Sequence, residues 1–164
     1  MFEIRQFQKS DTDEVIDLVL HCQNDGSRPT VSVKNQPELL YICEKYIANG
    51  GNFWVAVQNG QVAGSIGLMN GGQKIAILKK FFVYEAYRGY PYHLGQQLYH
   101  VLLEFAIEQG FERIILDTPK NTARAHRFYE KAGFKKIEAS ELPLQYDYPY
   151  QGSDCDFFCL KLSV

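Results

Sequence analysis

The chain has 164 residues, a length that fits one domain with a sizeable core. Hydrophobic residues make up 46% and charged residues 22%, which excludes a disordered chain, and a formal net charge of −2 leaves no basic footprint for nucleic acid. No apolar run reaches bilayer-spanning length, and Met1-Phe2-Glu3-Ile4-Arg5 lacks the layout of a signal peptide, so the expectation is a cytoplasmic protein with no membrane partner.

Residues 3–7 read as a short strand. Ser10, followed by Asp11, Asp13 and Glu14, is a candidate N-cap with acids in the first helical turn, where the helix dipole favours negative charge. Val15, Ile16, Val19 and Leu20 give that helix one apolar face. Residues 24–37 are polar and carry Gly26, Pro29 and Pro37, the marks of a loop. Leu39, Leu40, Ile42, Cys43, Tyr46 and Ile47 predict a second helix that stops at Asn49-Gly50-Gly51.

Residues 52–57 and 62–69 are strand-like. Asn59-Gly60 between them predicts a tight hairpin, because both central residues of a type I′ turn need positive φ. Residues 74–84 form the next strand. Leu94, Leu98, Val101, Leu102 and Phe105 then fall on one face of a helix ended by Gly110. Ile114, Ile115 and Leu116 have the continuous apolar character of a strand covered on both faces. Residues 122–132 predict the last helix, with Gly133 as its C-cap. Residues 134–137 and 157–162 close the sheet, and 142–152 form a loop rich in tyrosine and proline. There is no repeat and no linker, so residues 1–164 read as a single domain.

Cys22, Cys43, Cys155 and Cys159 contain no CxxC pair, and reduced thiols are the better reading than a metal site. The abundance of 11 Tyr and 11 Phe suggests aromatic core and pocket walls.

The loop Tyr87-Arg88-Gly89-Tyr90-Pro91-Tyr92-His93-Leu94-Gly95 leads from a strand into a helix N-terminus. Such a turn presents unpaired N–H groups and partial positive charge to an anion, glycine allows close approach, and Arg88 adds a charged fork. A plain strand-to-helix connector has the same look, and only the elements that follow strengthen the anion reading. Ala125-His126-Arg127-Phe128-Tyr129-Glu130-Lys131-Ala132-Gly133-Phe134 then ends the last helix. Alone, Tyr129 is a core tyrosine.

In this order the segments resemble the acetyl-CoA-binding core of the GNAT N-acetyltransferase superfamily. The resemblance covers nearly the whole chain in element order, with its specific motifs confined to residues 79–134. It implies an α/β domain: a central mixed, mostly antiparallel sheet flanked by about four helices. It implies direct acetyl transfer from acetyl-CoA, without a metal, to a primary amine of a small molecule or peptide. The resemblance gives Tyr129 the role of assisting the thiolate. It gives Phe82 and Val83 main-chain contacts with the cofactor arm. Arg88, Gly89, Tyr90, His93, Leu94, Gly95 and Gln96 would hold the pyrophosphate, and Asn121 or Thr122 would reach the cofactor. A homodimer is left open, since many relatives pair.

The chain departs from the family pattern in three places. Two residues are inserted in the loop. His93 stands where a glycine is usual, in a conformation glycine reaches more easily. Ile77 occupies the position of a frequent glutamate base. Glu85, Asp154 and Asp156 are the substitutes, with a solvated acid the plainer role for each, while His126 reads as exposed. A catalytically degenerate CoA-binding module is the rival function, and an interaction protein a more distant one. The acidic, aromatic stretch around Tyr146, Asp147 and Tyr148, with Asp154 and Asp156, suggests a cationic amine.

Overall fold

The computed structural model describes residues 1–24, 26, 30–148 and 155–162. Among the described residues, seven strands form one sheet: β1 (Glu3–Gln6), β2 (Asn52–Gln58), β3 (Gln61–Asn70), β4 (Ile75–Val83), β5 (Arg113–Pro119), β6 (Lys135–Ile137) and β7 (Cys155–Lys161). Their spatial order is β1-β2-β3-β4-β5-β7-β6, and β4–β5 is the one parallel pair among the described residues. The sheet is therefore mixed and mostly antiparallel, as expected. At the β2–β3 hairpin Asn59 has φ 52° and Gly60 has φ 77°, the backbone that an Asn-Gly pair predicts.

Among the described residues, three α-helices cover the sheet: α1 (Thr12–Gln23), α2 (Leu94–Glu108) and α3 (Ala123–Lys131). The helix expected over residues 39–47 is instead a 3₁₀ turn at Pro37–Leu40 followed by a π-helical turn at Cys43–Ile47. Wide coiling there places Tyr46 fully inside, edge-on to Phe53 at 5.2 Å between ring centres. The N-cap position expected at Ser10 is Asp11 instead, and its side chain makes no cap bond to α1. Its carboxylate accepts from the Gln8 N–H at 2.8 Å and takes both arms of Arg5 at 2.8 and 2.9 Å.

Each face of the sheet has its own core. On one side Leu94, Leu98 and Leu102, spaced to share one helix face, pack with Ile66, Ile114 and Phe158. On the other, Val15, Leu18 and Val19 of α1 pack with Leu39, Tyr46 and Phe53. Each leucine of this kind contributes about 2 kcal/mol by leaving water. Among the described residues, no helix is long and apolar enough to cross a membrane.

Two irregularities of β4 create the site. The first is a gap. β4 pairs with β5 over Ile75–Ile77 alone, after which β4 follows β3 while β5 follows β7 as far as Pro119. The second is a bulge. Gly67 opposes Lys79 and Ser65 opposes Phe82, so β4 carries an extra residue there. Lys80 takes it up at φ 55°, and its carbonyl is pinned by the Ser65 hydroxyl at 2.7 Å.

Candidate functional site

The gap holds two adjoining cavities. One, of about 810 Å³, runs along the last residues of β4 and the start of α2 to the outer face of α3. The other, of about 380 Å³, lies between β4 and β5 beneath the end of α1. Phe81, Phe82, Arg88, Arg124, Ala125 and Tyr129 line both, so the cavities meet at Tyr129.

The larger cavity has the features of an anion cradle. Among the described residues, the N–H groups of Leu94, Gly95 and Gln96 find no acceptor at the start of α2, and these are the groups that an oxyanion at a helix N-terminus takes up. Gly89, at φ 64°, has no heavy atom near the place a Cβ would occupy, which leaves room for a ligand. His93 caps α2 at φ 49° and ψ 40°, the left-handed conformation that glycine adopts more easily. Arg88 ties the loop to the strand, donating from Nε to the Val83 carbonyl at 2.8 Å.

Arg124, Arg127 and Lys131 of α3 add positive charge to the same rim. Burial and the neighbouring Arg88 both lower the pKa of Arg124. These cations form no ion pair among the described residues, and together with the open N–H groups they suit a polyphosphate, so the residues present fit the CoA moiety. The basic residues of α3 were not among the sequence candidates. Their signal is the run Arg124, Arg127, Lys131, whose spacing puts them on neighbouring turns of one helix.

The predicted residues divide as follows. Val83, Arg88, Gly89, His93, Gly95 and Gln96 line the larger cavity. Leu94 is fully buried in the core, so only its main chain is available. Tyr90 is 88% exposed and lines neither cavity; its ring stands against His93. Asn121 and Thr122 line the smaller cavity instead of the larger one. The Thr122 side chain makes no cap bond to α3, and its buried Oγ1 has no partner among the described residues.

Ladder geometry separates Phe82 from Val83. The Tyr84 N–H donates to the Ala63 carbonyl, which makes Gly64–Val83 a non-hydrogen-bonded pair. The Val83 amide therefore faces away from β3, into the gap that β5 has vacated. By the same alternation the main chain of Phe82 turns to Ser65, and Phe82 contributes its side chain to the wall. Of the two residues, Val83 alone turns its amide into the gap, the orientation that a main-chain contact with a ligand there needs.

Tyr129 is buried, with its ring among Phe81, Phe128, Phe134 and Phe158. Its hydroxyl has no hydrogen-bond partner among the described residues. Burial, with Asp117 and Tyr99 nearby, pushes its pKa well above the ordinary value and keeps the phenol protonated.

The acids proposed as bases fare differently. Glu85 is exposed at the mouth of the smaller cavity. Asp156 lies 3.5 Å from Lys136 and 3.8 Å from His126 and lines neither cavity. Asp154 lies outside the described residues. His126, expected to be exposed, is half-buried, with Nε2 at 3.2 Å from the Pro119 carbonyl. Ile77 is buried among Ile75, Ile115 and Leu144.

The smaller cavity holds a polar cluster that the sequence reading missed. Lys79 and Lys80 are 8% and 6% exposed. Normally successive strand residues point to opposite faces, but the bulge brings both ammonium groups to one carboxylate: Lys80 Nζ is 3.2 Å and Lys79 Nζ 3.9 Å from Glu38 Oε2. Lys80 also donates to Gln36 Oε1 at 2.7 Å, and Gln36 pairs with Gln23. Burial pushes the Glu38 carboxyl up, but Lys80 and Lys79 more than offset it and hold it below its usual range. Across the gap Asp117 accepts from the Tyr146 hydroxyl at 3.0 Å, and burial raises its pKa. The available signal was the pair Lys79-Lys80 inside an otherwise apolar strand.

Comparison with known proteins agrees with this geometry. The model of the acetyltransferase (GNAT) family matches residues 14–134. A probable N-acetyltransferase, camello, of Xenopus tropicalis is 31% identical over 109 residues, 65% of this chain and 49% of that protein. The chain spans about half the length, or less, of the curated relatives it matches first. A solved acetyltransferase from Streptococcus agalactiae is 36% identical with a TM-score of 0.90, covering 98% of each chain. A GNAT-family acetyltransferase from Staphylococcus aureus is 29% identical, also at 0.90, covering 99% of this chain and 100% of that one. With the family model spanning the cradle, the gap and Tyr129 alike, this chain belongs to the GNAT acetyltransferase family.

Proposed function

We propose that this protein is an N-acetyltransferase that moves an acetyl group from acetyl-CoA to a primary amine in a ternary complex. The observation that carries this reading is the meeting of the two cavities at Tyr129, beside the open amide of Val83. A cofactor arm in the larger cavity and an amine in the smaller one come together there. Acetyl-CoA supplies the acetyl group as a thioester.

The chain's residues do the rest. The N–H groups at the start of α2, with Arg88 and the basic residues of α3, hold the phosphates. The Val83 amide donates to the carbonyl oxygen as it gains charge, a fixed dipole that needs no reorganisation. As the new C–N bond forms and the C–S bond breaks, Tyr129 gives a proton to the departing sulfur. Its high pKa means that a proton is present to give at neutral pH.

The test is calorimetric binding of acetyl-CoA to the parent and to Gly89→Glu, followed by an assay of thiol release with amines. Bulk and like charge at Gly89 block the phosphate approach, so binding is lost in the variant alone. A folded parent that does not bind acetyl-CoA sinks the reading. Binding without turnover of any amine leaves a CoA-binding module.

A further inference from the structure

The amine that enters the smaller cavity meets an unusual wall. Both lysines of the β4 bulge line it, with Glu38 as the one carboxylate among the described residues within ion-pair distance of either. Two positive charges facing one negative charge leave that wall with an excess cation in a buried place. The donors are also incompletely used. Lys80 engages Gln36 and Glu38 with two of its three N–H groups. Lys79 donates to the Asp147 carbonyl at 3.0 Å, and its distance to Glu38 is longer than a hydrogen bond. The hydroxyl of Thr122, at the same cavity, is a further buried polar atom without a partner among the described residues. Unused buried donors are unfavourable unless a ligand takes them up.

The opposite wall has the opposite sign. Asp117 projects from β5, paired with the Tyr146 hydroxyl, and it is close enough to act on Tyr129 as well as on both lysines. The cavity is thus polarised, with cations on the β4 wall and a carboxylate on the β5 wall by the reacting tyrosine. Its volume of about 380 Å³ lies at the small end of ligand pockets, too small for a folded peptide segment.

We infer that the acceptor is a small amino acid, with its carboxylate on Lys79 and Lys80 and its ammonium on Asp117, which acts as the general base. This rests on the acetyltransferase reading and narrows it. The ammonium passes one proton to the Asp117 carboxylate, and the freed nitrogen lone pair forms the C–N bond. The C–S bond breaks, Tyr129 protonates the sulfur, and the second proton lost from nitrogen returns through water to Tyr129. Amide, free thiol and a proton on Asp117 balance the ammonium and thioester. Burial raises the Asp117 pKa toward the range that suits a base. The earlier expectation of a cationic amine loses the support of Asp156, which is occupied by Lys136 and His126.

The experiment measures kcat and KM with saturating acetyl-CoA for free amino acids, their carboxamides and the matched decarboxylated amines. The full chain is used. Turnover of acids at least ~10-fold above the matched amides and amines, expressed in KM, is the expected result, since a charged hydrogen bond is lost. Lys79→Gln raises KM for the acid ~10-fold and leaves the amide unchanged. Asp117→Asn lowers kcat ~100-fold, raises KM ~10-fold because the ammonium loses its charged partner, and removes the acidic limb of the pH profile. Because these variants also remove buried charge, the substrate series on the unaltered protein decides the matter. Equal or better turnover of amides or simple amines, or no turnover of any acid by protein that binds acetyl-CoA, overturns the inference and leaves the wider reading standing. Failure to bind acetyl-CoA overturns both.

Discussion

Lys80 Nζ lies 3.2 Å from Glu38 Oε2, beneath the point where β4 and β5 part. Burial pulls the Lys80 pKa down and Glu38 offsets only part of this, leaving it at about 8. Removing that carboxylate strands two buried lysines. Glu38→Gln is expected to lose about 3 kcal/mol of stability in urea unfolding. Adding Lys80→Met to it recovers part of the loss, because the uncompensated charge goes as well. A Glu38→Gln variant as stable as the parent contradicts this picture of the cluster.

Tyr129 offers a cleaner separation of chemistry from folding. Its hydroxyl makes no hydrogen bond within the described protein, so Tyr129→Phe leaves the ring packing intact and changes stability by less than ~1 kcal/mol. Acetyl-CoA affinity stays as in the parent. Turnover falls about 100-fold if the hydroxyl serves the departing sulfur. Calorimetry, thermal unfolding and the thiol assay check the three parts, and unchanged turnover removes Tyr129 from the mechanism.

The left-handed backbone of His93 predicts a gain from glycine. Strain relief of about 1–2 kcal/mol is partly offset by the greater freedom of glycine in the unfolded chain. His93→Gly is therefore expected to stabilise by up to about 1 kcal/mol and to keep acetyl-CoA binding. Weaker binding in that variant assigns the ring a contact with the cofactor.

The basic rim of α3 predicts salt sensitivity. Arg124→Gln is expected to weaken acetyl-CoA binding about 10-fold at low salt, a single charge-assisted hydrogen bond's worth. Its loss flattens the dependence of affinity on ionic strength. An unchanged dissociation constant places the phosphates elsewhere.

Acid stability is expected to track Asp11. Burial pushes its carboxyl up, but the two arms of Arg5 and the Gln8 N–H more than offset this, so its folded pKa lies below the ordinary value of 3.8. The unfolded chain then binds the proton first as pH falls. The contribution is fully present above the unfolded value and is lost as pH drops through the folded one. Asp11→Asn should be about 2 kcal/mol less stable than the parent at pH 7. In unfolding at a series of pH values, that gap narrows below about pH 4.

How much of this was legible in the chain depends on the range of the interactions. Asn59-Gly60 encodes its turn locally, and Leu94, Leu98 and Leu102 encode a helix face by spacing, so both were read correctly. The loop around Arg88 and Gly89 and the position of Tyr129 followed from element order. The Glu38 cluster did not, because a loop acid, a helix glutamine and two strand lysines meet only through the fold. The bulge was hidden because its pivot is Lys80, a residue with no preference for φ 55°. The turn at Cys43–Ile47 has the apolar pattern of an ordinary helix, and only the seating of Tyr46 against Phe53 distinguishes it.

The extra residue in β4 decides what the wall of the smaller cavity presents. Without it alternation would be strict, and Lys79 and Lys80 would fall on opposite faces of the sheet. Val83 would keep its place opposite Gly64, with its amide still facing the gap, because the ladder has the same parity on both sides of the bulge. The charge of that wall thus hangs on one residue of strand length, while the open amide does not.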